Sequence, residues 1–170
     1  MAFQNTATDY LAIGYEGDRV GAIFYPDKPA RVVDTNGVKV GKFVWLVKDT
    51  INGAVTAQGT NTTLFGVVHR SQTTVNVTQG LTTNANLIIP QGQEAQIIER
   101  GEVLVKITSI AGTNPVAQSS AVYVDTNGNI VADGGGTLTS YIKTNFVFTG
   151  VSTDLTVGSL VKISNVSNVV

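Results

Sequence analysis

Nowhere in its 170 residues does this chain carry an apolar stripe at i, i+3, i+4 and i+7 that holds over three turns without glycine or paired β-branched residues breaking it. A helix without such a stripe has no face to bury. A period of two takes its place. Val75 and Val77 alternate with Thr and Asn, and Val103, Val105 and Ile107 alternate with Leu104 and Lys106. Val122 and Val124 flank Tyr123, and Phe146 and Phe148 flank Val147. Successive strand side chains point to opposite faces, so each run reads as a half-buried strand. The expected fold class is all-β: a single-domain β-barrel or β-sandwich with hairpins, little or no helix and an extended N-terminal arm. Residues 1–9 would form the arm and 10–170 the β domain, with a possible sub-boundary near 112–116 at Asn114-Pro115. A chain of this length buries roughly 70% of its unfolded surface and needs no covalent staple.

Turn signals punctuate the strands. Asp34-Thr35-Asn36-Gly37 and Asp125-Thr126-Asn127-Gly128 are the same tetrapeptide, each after a Val-rich run. Asn-Gly suits a type I′ hairpin turn, so both predict hairpins. Asp-x-Asn-Gly also begins like a calcium loop, but neither copy has the Glu six residues beyond its Gly that an EF-hand requires. At Gly41-Lys42 the apolar face changes parity, from Val38 and Val40 to Phe43, Trp45 and Val47. That predicts a bulge within one long strand, covered on both faces because Val44 and Leu46 are apolar as well. Pro26 and Pro29 are expected to bracket a loop, and Pro90 with Gly92 a turn. Asp133-Gly134-Gly135-Gly136 reads as a loop tip, with a strand expected over Thr137-Leu138-Thr139-Ser140-Tyr141. A strand there argues against a phosphate cradle, which needs a helix N-terminus after the glycines.

Charge narrows the function classes. Lys and Arg number 11, Asp and Glu 12, and charged residues make up 14% of the chain, against about 25% in ordinary domains. No basic stripe exists to neutralise phosphates, so a nucleic-acid partner is not expected. From residue 108 onward only Asp125, Asp133, Lys143, Asp154 and Lys162 ionise. Two readings stand: a neutral, stable β surface, or a surface that meets other subunits, since charge is depleted at interface cores. Residues 1–8 have neither the charged nor the apolar region of a signal peptide, so export by a cleaved signal is not expected. No window approaches the ~20 apolar residues of a membrane span, and no membrane partner is expected.

Candidate chemistry is sparse. The chain has no cysteine and one histidine, so a catalytic zinc site would have to be mostly carboxylate, which is uncommon. His69 has Ser71 nearby, but residues two apart on a strand share a face without the directed bond a catalytic triad needs, and no G-x-S-x-G elbow exists. His69 is therefore read as structural or interfacial. Glu16 and Asp18 could be paired glycosidase carboxylates, but they lie in a turn-rich segment followed at once by Arg19, so capping or an Arg pair is the expectation. Trp45 lies in the most apolar strand and reads as core; Tyr15, Tyr25, Tyr123 and Tyr141 remain open as sugar platforms. The acidic, metal-binding strand and Gly-rich tail of small trimeric nucleotide hydrolases are not found.

Three glycine-punctuated pieces occur in fixed order. They are A-x-G-x-x-G-D at residues 12–18, V-x-V-G-x-F-x-W at 38–45 and G-x-V-H-R at 66–70. Ile89-Pro90-x-Gly92, Gly101-Glu102-x-x-Val105 and Val122-Tyr123-Val124-Asp125 with its Asn-Gly turn and Ala132 follow. The ordered set resembles the structural cement, or head decoration, proteins of tailed bacteriophages, best from residue 12 to about 107. The Pro26–Pro29 loop and Thr- and Asn-rich strands depart from that pattern.

The resemblance implies an all-β virion protein on the outer surface of the capsid head that bridges neighbouring major capsid proteins. It implies a homo-oligomer, dimer or trimer, made in the host cytoplasm, with no catalytic residues, cofactor or metal. The structural or interface candidates are Phe3, Gly14, Glu16, Gly17, Asp18, Gly41, Phe43, Trp45, Gly66, His69, Arg70, Pro90 and Gly92. Phe3 would anchor an arm able to add a strand to a neighbour's edge. The alternative is a virion-associated module that binds carbohydrate or a host surface.

Overall fold

The computed structural model describes residues 14–21, 25–47, 54–59, 64–71, 87–149 and 155–166. Among them there is no helix. In chain order the strands are β1 (Arg19–Val20), β2 (Lys28–Val32), β3 (Val38–Lys39), β4 (Phe43–Val47), β5 (Ala54–Thr56), β6 (Leu64–Val68) and β7 (Ile88–Ile89). They continue with β8 (Glu94–Ile98), β9 (Glu102–Gly112), β10 (Ala121–Val124), β11 (Ile130–Gly134), β12 (Ile142–Thr149) and β13 (Leu160–Ser164). The all-β expectation holds.

Five strands close a barrel in the order β2-β5-β4-β6-β8, in which only the β2–β5 pairing is parallel. A six-stranded sheet runs β1-β9-β11-β10-β12-β13, and β13 also pairs with β9. Strands β9, β11, β10, β12 and β13 thus follow one another in a cycle, with β1 on the flank of β9. Strands β3 and β7 form a separate pair.

The period of two explains how barrel and sheet share a wall. On β4, Val44 points into the barrel with Val32, Val55, Val68 and Ile97. Its neighbours Phe43 and Trp45 point outward, where they join Val67 and Ile98 against Val105, Ile107, Val124, Phe146 and Phe148 of the larger sheet. The wall strands are therefore apolar on both faces, as expected for β4 except at Leu46, which is exposed. Phe43 meets Phe146 edge-on, with centroids 5.5 Å apart at 83°, a geometry that adds about 0.5–1.5 kcal/mol beyond burial. Trp45 is fully buried, as expected.

Several local expectations are corrected. Both Asp-Thr-Asn-Gly turns have positive φ only at the glycine, Gly37 (74°) and Gly128 (73°), so neither is type I′. The Asp side chain is the reason. Oδ1 of Asp34 accepts the N–H of Asn36, and Oδ1 of Asp125 that of Asn127, each at 2.9 Å. This Asx arrangement favours a type I turn followed by a left-handed glycine. Only the second copy closes a hairpin, with Val124 opposite Ile130. The first leads from the barrel strand β2 to β3, which pairs with β7.

Gly41 is not a bulge in one strand. It sits at φ 77° in a tight turn that separates β3 from β4, closed by the Lys42 N–H donating to the Lys39 carbonyl at 3.3 Å. The register shift in β4 falls instead between Val44 and Trp45. Residues 137–140 are not a strand: the Tyr141 N–H donates to Leu138 O at 3.0 Å, and β12 begins after that turn. Pro29 lies inside β2 opposite Gln96, ahead of the point where β5 joins at Arg31. The strand has one partner there, which tolerates a missing N–H. The Pro90–Gly92 turn is present, with Gly92 at φ 85° and the Gln93 N–H donating to Pro90 O at 3.2 Å. The strand expected at Val75 and Val77 lies outside the described residues.

Candidate functional site

The three sequence pieces meet where the barrel joins the larger sheet. The turn at 14–18 is closed by Asp18, whose Oδ2 accepts the Tyr15 N–H at 2.7 Å. It is sewn to β9 by the Gly17 N–H donating to Leu104 O (2.7 Å) and the Leu104 N–H donating to Asp18 O (2.9 Å). On its other side Gly17 O accepts the Arg70 N–H at 3.0 Å. Gly17 has φ 86°, and a Cβ there would lie 2.5 Å from Val40 Cγ1 and 3.1 Å from Val68 O. Three backbones thus approach more closely than a side chain allows. Gly41 donates its N–H to Val68 O at 2.9 Å, and a Cβ on it would lie 2.0 Å from Glu16 Cγ. Gly66 is excluded from carrying a side chain by Ile98 O, 2.4 Å from a Cβ there.

Charges follow the same convergence. Glu16 Oε1 lies 3.6 Å from Lys42 Nζ, and Lys42 donates to Thr108 Oγ1 at 2.9 Å. Burial pushes the Lys42 ammonium below the ordinary lysine value; Glu16 partly restores it, and Lys39 pushes the same way as burial. Arg70 lies 3.7 Å from Asp18 and stacks 4.1 Å from the centre of the Tyr15 ring. Asp27 is shared: Arg19 pairs with Oδ1, and His69 Nδ1 bonds Oδ2. Arg19 also donates to Arg100 O at 3.2 Å, and the Arg100 guanidinium stacks 4.7 Å from the Tyr25 ring centre.

Glu16, Asp18 and Asp27 are thus each held by a cation. An arrangement of that kind fixes backbone geometry at a junction. Among the described residues no His, Asp and Glu cluster is placed to hold a metal.

The expected site residues therefore divide. Gly14, Glu16, Gly17, Asp18, Gly41, His69 and Arg70 come together at the junction, with Phe43 and Trp45 in the core behind it. Pro90 and Gly92 lie at the other end of β2, where the Gly92 N–H donates to Val32 O at 2.8 Å. Phe3 lies outside the described residues. Arg19, Asp27, Lys42 and Thr108 were missed. Their partners are 8 to 81 residues away, so no local spacing reveals them. Lys42 alone left a signal, as a charge set between a turn glycine and two core aromatics.

Beside the junction opens a cleft of about 940 Å³, lined by the 14–16 turn, Lys39, Lys42, β9 at 106–108, the 127–129 hairpin tip and residues 157–160. The hairpin tip is pinned to the barrel, since Phe43 N–H donates to Gly128 O at 3.1 Å and Gln58 Nε2 to Asn127 Oδ1 at 3.0 Å.

Comparison with known proteins gives three findings. The family model described as Structural cement protein (E217 gp24/Pam3 gp6) matches residues 3–165. Among solved structures, a chain in the capsid of Myoviridae phage XM1 is similar in fold, with a TM-score of 0.59 over 97% of this chain and 98% of that one, at 18% identity. No curated protein matches.

Proposed function

The chain belongs to the phage structural cement protein family, and from that premise we propose that it sits on the outer surface of the head and bridges neighbouring major capsid proteins. Its role is structural: it is a virion component that associates with capsid proteins and stabilises the capsid.

The observation that carries the finer reading is the junction. The family-like motif residues tie barrel to sheet through close backbone contacts and paired charges, leaving a stiff body that can transmit load between the subunits it grips. A stiff body with several contacts gains affinity by multivalency, because after the first contact the others are effectively intramolecular. Each contact can then be on the order of 1,000 Å² or less. The uncharged loops at 112–120 and 135–140 are largely exposed and suit such contacts.

The protein self-associates as a dimer or trimer, is made in the host cytoplasm, and works without catalysis, cofactor, nucleic acid or membrane. Residues 1–8 act as an intersubunit arm anchored by Phe3. The test is incubation of the purified chain with empty expanded capsid shells, followed by sedimentation and cryo-electron microscopy. Saturable, stoichiometric binding with density on the outer face is expected. No retention, or density on the inner face, overturns the proposal.

A further inference from the structure

We propose that the cleft beside the junction receives an acidic, extended segment of the capsid partner, with carboxylates meeting its lysines and an apolar side chain resting on Val157. The inference deepens the cement reading and rests on it.

The chain as a whole carries a net charge of −1, yet three of its 11 basic residues, Lys39, Lys42 and Lys106, line this one cleft against a single acid, Glu16. Lys106 makes no ion pair with any described residue. Lys42 is held rigidly, with its side chain 11% exposed and one donor fixed on Thr108. The electrostatic effect of Lys39 on Lys42 is repulsive, and an incoming carboxylate relieves it. A fixed cation offered by the fold loses little freedom on binding, which favours a charged partner over an adaptable one.

The rim supplies the apolar part. Val157 is 62% exposed and Tyr15 48% exposed, the two most exposed large apolar side chains among the described residues. A peptide offers carboxylates and apolar groups at strand spacing. A nucleic-acid strand would need a longer basic stripe and stacking platforms.

The variants add charge at exposed positions. Val157→Asp and Lys106→Glu together reverse the cleft's potential. Two binding arms are read: co-sedimentation with empty shells, and fluorescence anisotropy of a labelled hexaglutamate peptide. Salt is raised from about 0.1 to about 1 M, which shortens the Debye length from about 10 to about 3 Å.

Expected results are shell binding by the unaltered chain that weakens with salt, and binding about tenfold or more weaker in Val157→Asp/Lys106→Glu. Thermal midpoints should stay within a few degrees throughout. Shell binding by the unaltered chain that neither charge reversal nor salt changes overturns the cleft and leaves the cement reading standing. Peptide binding that the reversal abolishes, without any shell binding, overturns the cement reading and keeps the cleft's acidic preference. A labelled oligonucleotide that binds more tightly than the peptide overturns the choice of an acidic protein segment.

Discussion

Gly41→Ala tests whether two distant sequence pieces meet as described. Gly41 sits at φ 77°, and placing an L-residue in the left-handed region costs about 1–2 kcal/mol. The new methyl would also lie 2.0 Å from Glu16 Cγ and 2.9 Å from Glu16 Cδ. Glu16 is flexible and can swing away, but only by leaving Lys42, whose side chain is 11% exposed. Thr108 still accepts from Lys42, so losing the carboxylate costs on the order of 1–3 kcal/mol and not the full penalty of an isolated buried charge. The sum is about 2–5 kcal/mol. In a Glu16→Ala background the pair is already gone and the two closest obstructing atoms, Cγ and Cδ, are absent, leaving only Cβ at 3.1 Å. There Gly41→Ala should cost only the backbone term, about 1–2 kcal/mol. The assay is urea unfolding of all four members of the cycle, with midpoints compared at unchanged slope. A coupling of about 1–3 kcal/mol is expected. Additivity within about 0.5 kcal/mol would mean that the two pieces do not touch.

Trp45→Ala should cost roughly 3–5 kcal/mol, because the ring is fully buried and packs so close to Gly59 that a Cβ there would lie 2.1 Å from Trp45 Cγ; a midpoint shift near zero would place the ring at the surface. Asp34 should shape the acid limb of stability. Burial alone would raise its pKa, but hydrogen bonds from Asn36, Thr56 and Ala57 together outweigh it and leave the group below 3.8. Its contribution is therefore complete above that value and lost as pH falls through the folded value, so Asp34→Asn should flatten the loss of stability below about pH 4; an unchanged acid limb refutes the assignment. Deletion of residues 1–8 should leave the isolated subunit's thermal midpoint nearly unchanged while weakening oligomer or shell binding by several kcal/mol. Equal retention of truncated and full-length chains on shells at matched concentration and salt would rule the arm out.

The two Asp-Thr-Asn-Gly turns separate what the sequence determined from what tertiary structure decided. Period-two alternation marked the residues of β9, β10 and β12, and glycines marked the chain reversals, because strand pleat and positive φ are properties of a few adjacent residues. The same local chemistry makes both tetrapeptides type I turns ending in a left-handed glycine. It does not choose their strands. Asp125 turns inward on its own loop and holds Asn129, so β10 folds back on β11. Asp34 reaches instead to Thr56 and Ala57, at the end of β5, while the chain runs on from β2 to β3.

That choice belongs to burial. Val32 and Val44 exclude water only when five strands close around them, and a four-residue turn carries no information about such partners. The junction charges follow the same logic. Glu16, Asp18, His69 and Arg70 were visible as conspicuous residues in ordered motifs. That Asp27 would join Arg19 to His69, and that Lys42 would stand between Glu16 and Thr108, depended on contacts up to 66 residues apart. Only the closed barrel, seated against the larger sheet, brings those groups within reach of one another.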